Sequence, residues 1–164
     1  VLIPLDYQLS REGQGMKNLF SILAIIRTMT AALGLGLARA AFDASVKYAN
    51  ERVQFGHSIG GFQLIQSKIA RTAMDIWASR LMTSEAARLF DQGVPAMKEA
   101  SLANYFATET ACTAADEATR IFGAYAFSME YDVQRFYRDN RFLLYGGGTA
   151  EILQTIISRE FGVS

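Results

Sequence analysis

The sequence predicts an all-α protein: an antiparallel, up-and-down bundle of three long and two shorter helices behind a short extended N-terminal segment. Three observations predict it. Apolar residues recur at helical spacing over stretches much longer than a strand. Only Pro4 and Pro95 occur among 164 residues, and neither falls inside such a stretch. Glycines gather between the stretches, at Gly56, Gly60, Gly61, Gly93 and Gly123, where the chain must reverse.

The elements follow in order. Val1 to Leu9 is short and apolar with Pro4 inside, which suits an edge strand or an extended linker. Met16 to about Val53 reads as one long helix, apolar at Leu19, Leu23, Ile26, Leu33, Leu37, Ala41, Ala44 and Tyr48. Its middle is rich in alanine and carries Gly34 and Gly36, so a neighbour can approach closely there. A second helix runs from about Phe62 to Asp91, with Ile65, Ile69, Ala73, Ile76, Leu81 and Leu89 on its apolar side. Gly93 and Pro95 end it and start a third, from about Ala96 to Phe122. Its apolar side holds Leu102, Phe106, Ala111, Ala115 and Ala118, and Gly123 closes it. Shorter helices span about Tyr131 to Arg141 and Thr149 to Phe161. Trp77, Phe90, Tyr105, Phe106 and the six methionines read as core packing.

Composition excludes several functions. Sixteen Lys and Arg balance sixteen Asp and Glu, so nothing in the charge points to nucleic acid or an anionic membrane. Cys112 is the only cysteine and His57 the only histidine, which argues against a disulfide and a Cys/His metal site. The apolar run from Leu19 to Leu37 contains Arg27 and several Ser and Thr, which fits a buried helix better than a membrane span. No signal-peptide pattern is present, so the expected location is cytoplasmic. The opening at Val1 reads as the tail of a preceding domain in a longer protein.

Some residues could carry chemistry. Gly146-Gly147-Gly148 stands directly before Thr149 and a helix. Three glycines suggest that a ligand or another chain comes close to the backbone, and the helix start offers free N–H groups to an anion; an ordinary loop and cap is the alternative. Arg52, Gln54 and Phe55 lie where the first helix ends. There an arginine beside an aromatic ring can hold a phosphate and stack a planar ring, or can merely complement the negative helix end. Gln63 and Gln66 share a face at the start of the second helix and read as a polar first turn, while Arg135, Arg138 and Arg141 read as an ion-paired surface. His57 reads as a surface or interface residue.

Tyr48-Ala49-Asn50-Glu51-Arg52-Val53-Gln54-Phe55-Gly56, Ile59, Phe62-Gln63-Leu64-Ile65-Gln66, Glu130-Tyr131, Arg138-Asp139 and the glycine run follow one another at a spacing that resembles the C-terminal helical domain of the acyl-CoA dehydrogenase family. The resemblance covers nearly the whole chain. It implies that residues 1–15 are the exit of a preceding β-domain and residues 16–164 the helical domain. It also implies FAD as cofactor and α,β-desaturation of an acyl-CoA thioester in fatty acid metabolism, with an electron-transfer flavoprotein or similar acceptor. The assembly it implies is a homo- or hetero-oligomer, dimer or tetramer. Arg52 and Phe55 match residues that reach a neighbouring subunit's FAD, Thr149 and Glu151 match the adenine end, and Arg120 and Gly123 match a flavin-facing turn. Arg27 matches an arginine beside the substrate.

The resemblance breaks at the catalytic base. The family usually has Glu-Gly-Thr where this chain has Gly147-Gly148-Thr149, and that glutamate removes the α-proton. Some relatives carry the base immediately before the arginine that matches Arg27, where this chain has Ile26. The catalytic residue is therefore unknown. Arg120-Ile121-Phe122-Gly123-Ala124 also departs from the family's glutamine and paired glycines. A dehydrogenase-like flavoprotein remains the leading reading. The alternatives are a catalytically silent subunit or assembly module of a heteromeric enzyme, and a variant flavoenzyme whose chemistry needs no α-base.

Overall fold

The computed structural model describes residues 2–163. Five helices form an antiparallel bundle: α1 (Gly15–Glu51), α2 (Gln63–Asp91), α3 (Met97–Phe122), α4 (Val133–Leu143) and α5 (Ala150–Glu160). Every end lies within two residues of its expected position. The N-terminal segment takes the linker form, exposed and with one 3-10 turn at Leu5–Tyr7.

One element escaped the sequence reading. α1 leads into a two-residue hairpin, β1 (Val53–Gln54) and β2 (His57–Ser58), paired Val53 to Ser58 and Gln54 to His57. Its turn residues Phe55 and Gly56 have φ of 54° and 86°, the pair of positive values that a tight hairpin turn needs.

The core is a seam of small residues. Ala38 and Ala41 of α1 meet Ala111, Ala114 and Ala118 of α3, and Ala31 clusters with Ala86, Ala103 and Ala107. A Cβ on Gly34 would stand 2.9 Å from the Ala107 carbonyl oxygen, so only glycine lets α1 and α3 approach this far. Larger packing groups appear at the far end, where Tyr48 stacks on Phe122 at 4.0 Å and Tyr131 meets both edge-on.

This seam corrects the expected apolar faces. Leu19, Ile26 and Leu33 of α1 and Leu81 of α2 are exposed, and the buried face of α1 runs through Ala24, Arg27, Thr30, Ala31, Gly34, Ala38, Ala41, Ser45 and Ala49. Trp77 is 62% exposed, and Met16, Met29, Met74 and Met129 are exposed too, against the expectation that they fill the core. Large side chains would hold the helices apart, so the close approach forces them outward. By length and composition α1 could cross a bilayer; here it packs along α3 as a core helix.

Candidate functional site

The glycine run lies on Arg27. This side chain is 2% exposed, and burial pushes its pKa below the ordinary arginine value. Its Nε donates to the Gly147 carbonyl at 2.8 Å, and its Nη1 to Met97 Sδ at 2.8 Å and Ser101 Oγ at 3.3 Å. All three acceptors are neutral, and no carboxylate pairs with this cation among the described residues. Nη2 makes no hydrogen bond among the described residues and lies 3.7 Å from where a Cβ on Gly148 would stand.

Asn104 completes the support from α3. Its Nδ2 donates to the Gly146 carbonyl at 2.9 Å, while its Oδ1 is buried without a partner. The glycines answer to this crowding. A Cβ on Gly146 would stand 3.0 Å from Thr30 Cγ2, and one on Gly147 would stand 2.9 Å from Asn104 Nδ2 and 3.0 Å from Arg27 Cγ. Gly147 also has φ +79°, so a side chain at this position would strain the backbone and displace Asn104 and Arg27.

Thr149 precedes α5 in an extended conformation, and both it and Glu151 are exposed. The Glu151 carboxylate is held below the usual range by its own backbone N–H and then by the Thr149 hydroxyl. An apolar groove of about 720 Å³ adjoins this end of the bundle, lined by Phe20, Ala24, Ile25, Phe90, Val94 and Met97 among others. Met97 is shared between the groove and Arg27.

A second group sits where α1 ends. The Arg52 guanidinium lies 5.2 Å from the Tyr125 ring and has no carboxylate partner among the described residues. Phe55, at the hairpin tip, is 90% exposed and is the one non-glycine residue with positive φ among those described. Gly123 ends α3 at φ +61° with nothing within 4 Å of where a Cβ would stand, and Arg120 is exposed, with Nε 2.7 Å from Asp116 Oδ2. Gln66 binds the Gly60 carbonyl at 3.0 Å, as a polar first turn would, and Arg135 pairs with Asp132 at 3.1 Å.

The fold therefore brings Arg27 to the glycine run and Arg52 to Tyr125, but keeps the two groups apart. Arg27 and Arg52 lie twenty-five residues apart in sequence along α1, which at 1.5 Å per residue is about 37 Å. Sequence reasoning missed Ser101, Asn104 and Tyr125. Ser101, Asn104 and Thr108 recur at helical spacing among buried alanines, and that polar stripe was the available signal.

Residues 13–162 match the family described as acyl-CoA dehydrogenase, C-terminal domain. Benzylmalonyl-CoA dehydrogenase of Aromatoleum aromaticum is 48% identical over 96% of this chain and 42% of its own length. Glutaryl-CoA dehydrogenase of Desulfococcus multivorans is 41% identical over 96% of the chain and 41% of its own. Among solved structures, butyryl-CoA dehydrogenase of Megasphaera elsdenii superposes with a TM-score of 0.95 at 34% identity, over 98% of this chain and 42% of that one. A glutaryl-CoA dehydrogenase in complex with glutaryl-CoA gives 0.92 at 39% identity, over 99% and 42%. The chain spans about two fifths of the length of these relatives. By sequence and by fold, the chain belongs to the acyl-CoA dehydrogenase family, as its C-terminal helical domain.

Proposed function

We propose that this domain completes an FAD-dependent flavoprotein acting on acyl-CoA thioesters, with residues 1–15 as the exit of a preceding β-domain. The observation that carries the reading is Phe55. A non-glycine residue at φ +54° costs about 1–2 kcal/mol, and its ring is left almost wholly in water. Strain of this kind is retained where it presents a group to something else.

The residues fit the cofactor. Arg52 offers a guanidinium without a carboxylate partner to a pyrophosphate, Phe55 offers a ring face, and Thr149 opens a helix N-terminus. Arg120 already holds Asp116, so its contribution is the weaker. When bound, FAD supplies the acceptor for hydride from the β-carbon. The separation of about 37 Å between Arg27 and Arg52 supports assembly, since one cofactor would have to take Arg52 and Phe55 from one subunit and the glycine run from another. An electron-transfer flavoprotein is the acceptor that fits this reading, and the cytoplasm the location.

What the protein lacks is the carboxylate at Gly147 or Ile26. Among the relatives, benzylmalonyl-CoA dehydrogenase takes its name from a thioester that bears a carboxylate on the α-carbon. The test is to purify the gene product that carries this domain and record its visible spectrum before and after saturated acyl-CoAs are added. Yellow protein supports the cofactor reading; colourless protein sinks it and favours the silent assembly module.

A further inference from the structure

We propose that Tyr125 is a positioning residue for the cofactor: its ring face holds the Arg52 guanidinium ready for the FAD pyrophosphate and leaves that cation's N–H donors free. The inference rests on the flavoprotein reading above. The backbone of Arg52 is fixed from both sides, since its N–H donates to the Tyr48 carbonyl and its carbonyl accepts from the Ile59 N–H, each at 2.8 Å. The side chain is held differently. Its guanidinium carbon stands 5.2 Å from the Tyr125 ring centre, and no carboxylate pairs with it among the described residues. An arginine side chain is rich in rotamers, so ordering it on binding is costly unless something holds it beforehand.

A ring face suits this task in a way that a carboxylate does not. An aspartate or glutamate would take the N–H donors that an oxyanion needs and would cancel the charge, as Asp116 does to Arg120 at 2.7 Å. The negative face of an aromatic ring attracts the cation without taking a hydrogen bond. Arg52 thus keeps both charge and donors for a bidentate contact. The ring is itself well supported. Gly123, at φ +61°, turns the chain out of α3 into a 3-10 turn, Gly123–Phe127, and the Tyr125 carbonyl accepts from the Ser128 N–H at 3.0 Å. Tyr131 meets Tyr125 edge-on at 6.0 Å and Phe122 at 5.3 Å, and the buried Phe122 stacks on Tyr48. Tyr48 stands one turn before Arg52 on α1, so this path of rings returns to the helix that carries the cation. Tyr125 is 47% exposed and Arg52 half-buried, so both are open to a ligand.

The test is a double-mutant cycle read as FAD affinity, measured from the flavin fluorescence that appears when the loaded full-length protein is diluted. Tyr125→Leu should weaken FAD binding by about three- to thirtyfold, the range of a cation–π contact together with an ordered arginine side chain. Tyr125→Phe, which keeps the ring and drops the hydroxyl, should stay within about twofold of the wild type. In an Arg52→Met background, Tyr125→Leu should cost less than about twofold more, because nothing is left to position. A tyrosine with a purely structural role would cost the same in both backgrounds. If circular dichroism shows Tyr125→Leu to be misfolded, a trifluorinated phenylalanine in place of Tyr125 decides. Fluorine drains the ring face at nearly constant shape, so it should weaken FAD binding only where Arg52 is present. Acyl-CoA affinity should be unchanged throughout, which separates the FAD pyrophosphate from the diphosphate of coenzyme A. Four results overturn the inference while leaving a flavoprotein: additive losses, a loss in Tyr125→Phe as large as in Tyr125→Leu, undiminished FAD binding by Arg52→Met, or weakened acyl-CoA binding with FAD binding intact. Protein without flavin would instead sink the reading on which it rests.

Discussion

Gly147→Ala isolates how far packing at the glycine run disfavours a side chain. An L-residue held at φ +79° costs about 1–2 kcal/mol. The new methyl would also stand 2.9 Å from Asn104 Nδ2 and 3.0 Å from Arg27 Cγ, so both neighbours must move. Asn104 then weakens its bond to the Gly146 carbonyl, worth about 1 kcal/mol, and Arg27 its charge-assisted bond to the Gly147 carbonyl, worth about 1.5–3 kcal/mol. Gly93→Ala supplies the control, because Gly93 has φ +71° with nothing within 4 Å of its Cβ position. Both substitutions carry the same backbone strain and the same gain from a stiffer unfolded chain. Urea unfolding of the two variants should therefore differ by about 2–4 kcal/mol, with Gly147→Ala the less stable. Equal losses would refute the crowding, and with it the claim that packing, as well as φ, disfavours a side chain at Gly147.

Three further outcomes are expected. In α1, Gly34→Ala drives a methyl against the Ala107 carbonyl and should cost about 1–3 kcal/mol, whereas the exposed Gly36→Ala, with open space, should gain up to about 1 kcal/mol; paired thermal melts check both. Ile26 is 40% exposed on a helix without positive φ, so Ile26→Glu should be accepted, and if it returns a base to the site, flavin bleaching by saturated acyl-CoAs should appear where the wild type gives none. Burial pushes the Cys112 thiol up, as its Sγ lies 3.8 Å from the Asn140 carbonyl in a half-buried position. The folded state thus favours the neutral thiol, and that contribution is present below the unfolded thiol's pKa near 8.5 and lost as pH rises through the folded value. Unfolding free energies from pH 7 to 10 should fall more steeply in the wild type than in Cys112→Ala, in which Tyr48, raised mainly by burial, titrates unchanged.

How much of this was legible depends on the range of the cause. The helices were, because periodicity and the breaks at Gly56, Gly93 and Gly123 act within a few residues, and α1 to α5 came within two residues of their expected ends. The hairpin was not, because Phe55 takes a positive φ that nothing in its own chemistry favours. Arg52, Phe55 and Thr149 could be named from their neighbours in sequence, but their separation from Arg27 needed the unbroken length of α1.

Which face of each helix is buried belonged to the tertiary structure alone. An apolar stripe is a property of one helix, and burial is a property of two surfaces that must fit. Here the fit falls on alanine and glycine, so Trp77, Leu33 and most of the methionines point outward against every hydropathy argument. The sequence by itself determined that Gly147 is no base. Only packing decided how poorly a side chain is accepted there, because Asn104 and Arg27, 43 and 120 residues away in sequence, stand within about 3 Å of where its Cβ would be.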